Sequence, residues 1–350
     1  MPNLELPPDL RPHPTDSEPF RLLLSCAGRR VELLQAFRSA AERLGMPIEI
    51  LAADASDLAP AMYMADRSFI VPPVADDAFI PRLLEIVRGE RVNMLIPLLD
   101  TELLKLSAAR EDFLRAGCLA VVSSRRVVET CRDKIETYRF LTAAGIDTPN
   151  TWTWEAAIRL SEHRFPYFMK PRCGSASRAS FKIRTLEHLR ALGGIVPDPI
   201  VQEFVEGHEH TLDVYTGLDG RPRCAVPRRR IEVRGGEVVK ACVVKDPRLI
   251  DTGMRVAAAL GECVGVITIQ LILTADGRTP VIEVNPRFGG GVPLSIHAGA
   301  DFPAWLLGAA LGREPPIAAD GYRNGECMLR YDQSVFTHLG HPELSDTAGA

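Results

Sequence analysis

Two patterns in series set the expected fold class. From Arg21 to about Ala144 short apolar runs alternate with amphipathic stretches; after Gly145 the runs pair as hairpins. Strands buried on both faces read as brief continuous apolar runs, so the first region predicts an α/β unit with a doubly wound parallel sheet. Strand pairs with few helices predict an α+β region behind it. A chain of 350 residues has room for about two such units.

The expected parallel strands are Arg21–Cys26, Ile48–Ala53, Ser68–Val71, Met94–Pro97 and Leu119–Val122, separated by helices over Val31–Leu44, Asp76–Arg88 and Thr101–Leu114. A helix over Val127–Ala144 follows. The first strand–helix turn reads SCAGRR, without the G-x-G-x-x-G of dinucleotide binders. Ligands of such sheets sit at strand C-termini, here Ala27–Arg29 and Leu98–Glu102. Solvated Arg29 and Arg30 are the plainer alternative. Three hairpins are expected next: Tyr167–Pro171 with Ser180–Ile183, Ile200–Phe204 with His210–Gly217, and Val266–Leu273 with Pro280–Asn285. A closing helix over Ala298–Gly312 is broken at Pro303, and a polar tail begins at Tyr331. The Pro- and acid-rich segment Met1–Pro19 lacks an apolar core, so it reads as a disordered lead-in and not a signal peptide.

Composition excludes several classes. No apolar run approaches the roughly 18 residues of a membrane span. The net charge of −4 argues against bulk nucleic-acid or anionic-membrane partners. Eight singly scattered cysteines without metal-ligand spacing disfavour zinc ribbons and disulfide frameworks, and point to a reducing cytoplasm. Only six of 41 basic residues are Lys: Lys105, Lys134, Lys170, Lys182, Lys240 and Lys245. Where Lys persists against that Arg bias, a compact ammonium is a reasonable requirement.

The segment GVITIQLILTADGRTPVIEVNPRF, Gly265 to Phe288, carries the sharpest signal. Asp276-Gly277 as a two-residue turn sets Gln270 across from Glu283 and Thr268 across from Asn285. In that register the apolar faces coincide, Ile267, Ile269 and Leu271 with Ile282 and Val284; a one-residue slip would mismatch them. Gln270, Glu283 and Asn285 then form a patch of hard oxygen donors with one formal charge, suited to Mg²⁺ shared with phosphate oxygens. The plain alternative, a solvent-facing polar side, does not require the Gly289-Gly290-Gly291 that follows. Lys170 ends a strand before a small-residue loop with Gly174, Ser175 and Ser177, where backbone N–H groups can approach phosphate. In QEFVEGHEHTLD, Gln202 to Asp213, alternation places Glu209, Thr211 and Asp213 on one face, while Phe204 and Val205 offer a wall to a flat ring. Arg230 or Lys240 can reach phosphate or an acidic substrate from a neighbouring β-loop.

Taken in order, Asp133-Lys134, Lys170-Pro171 before the Gly/Ser loop, QEFVEG, and Gln270 ahead of Glu283-Val-Asn285-Pro-Arg287 resemble the ATP-grasp superfamily. The nearest flavour is the ATP-grasp half of the carbamoyl-phosphate synthase large subunit, where Gln also precedes the EVN strand. The resemblance covers about residues 21–315 and implies a pre-ATP-grasp domain over 20–123. A small lobe (124–200) and a large lobe with the metal site (201–330) follow, between the lead-in 1–19 and the tail 331–350. It implies an ATP- and Mg²⁺-dependent ligase, with two Mg²⁺ or Mn²⁺ ions, joining small-molecule carboxylate and amine through an acyl phosphate. A phosphotransferase and a non-catalytic nucleotide-binding subunit stay open, and a homodimer is compatible with it. By the resemblance Lys134, Lys170, Gly174 and Ser175 meet the phosphates; Gln202, Phe204 and Val205 the adenine; and Glu209 the ribose. Gln270, Glu283 and Asn285 take the metal, while Arg287, Lys170 and Lys240 serve catalysis. Thr268 stands where D-alanine ligases carry a catalytic Arg, which sets this chain apart from that exact mechanism.

Overall fold

The computed structural model describes residues 18–174, 179–313 and 315–338; the expected lead-in falls almost entirely outside them, as does the end of the tail. Strands β1 (Phe20–Ser25), β2 (Ile48–Asp54), β3 (Arg67–Ile70), β4 (Met94–Pro97) and β5 (Leu119–Ala120) form a parallel sheet in the order β3-β2-β1-β4-β5. The order reverses between β1 and β4, so the loops after these two strands flank a crevice. The helix α1 (Val31–Arg43) leaves the first loop and buries Leu33, Leu34, Phe37, Ala40 and Ala41, the 3.6-residue stripe its sequence displays.

Strands β6 (Thr151–Thr153), β7 (Tyr167–Pro171), β8 (Phe181–Ile183) and β9 (Pro199–Glu203) make a small antiparallel sheet in the order β6-β9-β7-β8. The large sheet contains β10 (His208–Gly217), β11 (Cys224–Arg234), β12 (Glu237–Val243), β13 (Gly265–Leu273), β14 (Val281–Asn285) and β15 (Cys327–Leu329). Its order is β14-β13-β10-β11-β12-β15. One face packs Leu212, Val214, Ile267, Ile269, Leu271, Val281 and Val284 under the helix Pro247–Leu260. The other face is apolar where Tyr215, Val226 and Val266 meet the parallel-sheet unit and the helix Phe302–Ala310. Towards β14 that same face turns polar, and there the site lies.

The structure corrects several expectations. β9 and β10 do not pair; they belong to different sheets, and residues 204–207 carry the chain between them. The expected helix Val127–Ala144 is two helices, Arg125–Arg132 and Lys134–Ala143, parted at Asp133, whose carboxylate caps Ile135 and Glu136. Pro303 does not break the closing helix but opens it, after the Asp301 cap, where its missing N–H costs nothing. Finally, Cys242 and Cys327, directly opposed on β12 and β15, form a disulfide. A separation of 85 residues hides that pairing from spacing arguments and withdraws cysteine usage as evidence for a reducing compartment. Among the described residues no helix is long and apolar enough to cross a membrane.

Candidate active site

The hairpin β13–β14 forms the floor. Its register is Thr268 with Asn285, Ile269 with Val284 and Gln270 with Glu283, as the pleat argument requires. The turn differs. Thr274 pairs with Arg278 across three residues, which alone would shift the ladder by one. A bulge beyond Gln270 restores it, so Leu271 faces Val281 and Ile282 is the extra residue. Ile282 is therefore only half-buried and leaves the apolar face to Val281 and Val284. The bulge has a use: the Ile282 carbonyl, freed from the ladder, accepts from Lys170 Nζ at 3.3 Å.

Lys170 reaches it from β7 in the small sheet, so one ammonium ties the two antiparallel sheets together. Burial pulls its pKa down to about 8, against Glu283 and with the help of Lys134. Lys134 opens the helix Lys134–Ala143; its ammonium donates to Gly174 O at 2.9 Å and lies 3.7 Å from Glu283 Oε1. Both Lys residues are 8% exposed. A cavity opens between Lys134, Gly174, Glu283, Asn285 and Asp100. Ser175 and Ser177 lie outside the described residues.

A chain of polar contacts crosses the face from there. Glu209 Oε1 accepts from Arg230 at 2.7 Å. With its amide turned to satisfy both neighbours, Gln270 accepts from Arg230 at 3.1 Å and donates to Glu283 Oε2 at 3.0 Å. Gln270 thus orients Glu283, and its oxygen, which accepts from Arg230, keeps a second lone pair, so Gln270, Glu283 and the buried Asn285 together present oxygen donors to a cation. Among the described residues no three His, Cys, Asp or Glu cluster as a complete metal cage. A carboxylate beside an amide oxygen instead fits a hard cation whose remaining positions phosphate fills.

Gln202 is buried and donates to Thr151 Oγ1 at 2.9 Å. Phe204 and Val205 stand half-buried in the crossover, with Lys182 Nζ 3.6 Å from the Phe204 ring centre. Lys240 is not brought to the others. It sits on β12, four strands from β14, is half-exposed, and pairs with Glu232 at 2.7 Å. The neighbouring candidate Arg230 occupies the site in its stead.

Sequence reasoning missed the supports. Arg172 forks onto Asp133, fixing the start of the Lys134 helix. Arg228 and Ser295 hold the fully buried Asp213 at 2.7 and 2.6 Å. Asp213 had been legible only as sharing a face with Glu209. The glycine run is explained by what presses on it: a Cβ on Gly289 would meet Thr268 Oγ1 at 2.8 Å, and one on Gly291 would meet Arg228 Nη1 at 2.3 Å. Thr268 also donates to Arg287 O, and Arg287 pairs with Asp100 from the loop after β4. The parallel-sheet crevice therefore opens onto this site.

Residues 22–122 match the family described as PylC-like, N-terminal domain, and residues 131–291 match the ATP-grasp domain. The chain belongs to the ATP-grasp superfamily. Among curated proteins this ATP-grasp chain is 29% identical to the formate-dependent phosphoribosylglycinamide formyltransferase of Ignicoccus hospitalis, over 70% of the chain and 64% of that protein. It is 27% identical to the 3-methyl-D-ornithine–L-lysine ligase of Methanosarcina acetivorans, over 62% of the chain and 54% of the relative. The chain thus spans less than two thirds of either relative. Among solved structures, the biotin carboxylase domain dimer of Hydrogenobacter thermophilus 2-oxoglutarate carboxylase, bound to MgADP, ADP and bicarbonate, superposes with a TM-score of 0.70 at 17% identity. That match covers 89% of this chain and 74% of that one, and establishes the shared fold.

Proposed function

We propose that this ATP-grasp chain is an ADP-forming ligase. It activates a small-molecule carboxylate as an acyl phosphate at the expense of ATP and passes the acyl group to an amine or similar nucleophile. The observation that carries the reading is the convergence of Lys134 and Lys170 on Glu283, with Asn285 and Arg287 on the same strand and its continuation. The two curated relatives, a formate-dependent formyltransferase and an amino-acid ligase by name, support a carboxylate as the activated group. The nearer likeness to carbamoyl-phosphate synthase rests on Gln270 alone and adds no substrate.

In this reading Lys134 and Lys170 take the phosphate oxygens together with Gly174 and Ser175. Gln202, Phe204 and Val205 line the adenine, and Glu209 reaches the ribose. Glu283, Asn285 and Gln270 would hold Mg²⁺, with Gln270 also orienting Glu283; the ion would neutralise phosphoryl charge when bound. Arg287, fixed by Asp100 and Thr268, presents a guanidinium to the substrate carboxylate and to the oxyanion formed as the amine adds. None of these steps requires a protein nucleophile: positioning and charge suffice. Small molecules are the partners, and a homodimer in the cytoplasm belongs to the same proposal.

Melting with nucleotide tests the metal half. MgATP at ~100 times its dissociation constant should add about 2.7 kcal/mol, and ATP with chelator far less; equal shifts would remove the metal. ADP release across carboxylate–amine pairs, with product masses, tests the rest. A stable phosphorylated product in place of an amide would make the chain a phosphotransferase.

A further inference from the structure

Three guanidinium groups meet where the first strand–helix turn abuts the glycine loop. Arg287 lies three residues before Gly290 and pairs with Asp100. Arg330, just past β15, donates through Nη2 to Gly290 O at 2.5 Å and pairs with Glu32 at 3.0 Å. Arg30 ends the turn after β1, and its Nη1 lies 2.5 Å from where a Cβ on Gly290 would sit. Gly290 is therefore what admits the Arg30 side chain. Arg287 and Arg330 each have a carboxylate. Among the described residues Arg30 has neither a hydrogen bond from its side chain nor an ion pair. Burial, then Arg287 and Arg330, bring its pKa down to about 10 in spite of Glu237 and Asp100.

The surroundings are built for an anion. α1 starts at Arg30 with no side chain capping its first-turn N–H groups. The turn is one of the two that flank the strand-order reversal, where open parallel sheets take ligands. The glycine loop also divides the space: Cβ positions of Gly289 and Gly291 point to Thr268 and Arg228 on the sheet, that of Gly290 to Arg30. Arg30 thus meets the middle of the glycine loop, with Asp100 linking it to the cavity that Glu283 and Asn285 line.

We infer that this crevice recognises a second oxyanion of the substrate, a carboxylate or phosphate distinct from the carboxylate that is activated, with Arg30 as its principal partner and Arg330 beside it. The inference rests on the ligase reading and narrows it to substrates with two negative groups. A half-buried guanidinium with no protein partner gains a charge-assisted bond when such a group arrives.

Titration of the full chain with MgADP present decides it. The probes are α,ω-dicarboxylates from malonate to adipate, 3-phosphoglycerate, and butyrate as the singly charged reference. At least one dianion should bind about tenfold or more tighter than butyrate, the worth of one hydrogen bond to a charged group. Arg30→Met, which keeps the aliphatic stem, should erase that advantage while MgADP binds as before; Arg30→Lys should keep part of it. Preference for a dicarboxylate or for the phosphate ester names the group. Butyrate binding as well as every dianion, or a preference that survives Arg30→Met, would overturn the subsite while leaving the ligase reading intact. Failure of MgADP itself to bind would bring down that reading and the subsite with it.

Discussion

The two cation clusters beside β14 are built from different chemistry. On one side Lys134 and Lys170 share a single carboxylate, Glu283. On the other, Arg287 and Arg330 each hold their own acid, and Arg30 holds none. Ammonium groups are compact and can lose a proton, whereas guanidinium groups keep their charge and impose a planar fork. The labour is divided accordingly: the Lys side suits a changing charge, as when a phosphoryl group leaves, and the Arg side suits a fixed one.

Removing the acid that the two Lys residues share should have the largest effect. Glu283→Gln keeps shape and the Gln270 contact but deletes the charge facing both ammonium groups. Turnover with MgATP should fall on the order of 10²–10³-fold, as when a preorganised electrostatic partner is lost, while apo melting moves little. Val284→Gln supplies the control, since Val284 is 2% exposed on the opposite face. An unpaired buried amide there should cost ~1–3 kcal/mol without altering metal dependence. Normal turnover in Glu283→Gln would mean that the Lys cluster is structural.

The hairpin shows how far the sequence could be read: Val284 keeps the apolar face that the alternation assigns it, and Ile282 does not. The pairing of Gln270 with Glu283 was legible because one face of the hairpin is buried and a slip would expose it. The bulge at Ile282 was not, because a three-residue turn and a two-residue turn leave the same alternation on β13. The parallel strands were legible as apolar runs, and Lys134 and Lys170 stood out against the Arg bias. The loops bearing Arg30 and Asp100 were legible as strand C-termini where a parallel sheet takes ligands, but Arg330 carries no local pattern, and only the folded chain brings it to them. Lys240 had the right type and a nearby position in sequence, yet the sheet order β11-β12 carries it outward while Arg230 stays inside.

An acid in the loop after β4, two residues from Asp100, titrates in the same crevice. Glu102, wholly buried, takes Leu98 and Leu99 N–H on one oxygen and Ser25 Oγ on the other. Burial raises its pKa to about 7 despite those bonds. The folded state then holds a proton that the unfolded state has lost, between the ordinary value of 4.5 and about 7. Stability from this group is full below the lower value and is lost as pH rises through the upper one, ~3 kcal/mol in all. Glu102→Gln mimics the protonated form, with its oxygen on the two N–H groups and its NH₂ on the Ser25 hydroxyl. Denaturant melts from pH 5 to 8 should therefore slope downward in the parent and run flatter in the variant. Parallel slopes would place the titration elsewhere.

Lys170 should respond to pH in the opposite partnership, through ligand and not through folding alone. Its pKa near 8 means that at neutral pH the ammonium is mostly charged, and that above 8 it turns neutral. A triphosphate selects the charged form, so MgATP binding should draw a proton onto Lys170 and its affinity should weaken above pH 8. The limit is about tenfold per pH unit, the signature of one proton. Calorimetry in buffers of different ionisation enthalpy should count that proton directly. Lys170→Ala should bind about 10- to 100-fold more weakly at pH 7, the loss of a charged hydrogen-bond donor, and should show neither proton uptake nor the alkaline decline. Arg30→Met should retain both, because the guanidinium it removes, with a pKa of about 10, stays mostly charged from pH 7 to 9, where Lys170 titrates. An alkaline decline that persists unchanged in Lys170→Ala would move the titrating group off β7 and dissolve the contrast between the two clusters.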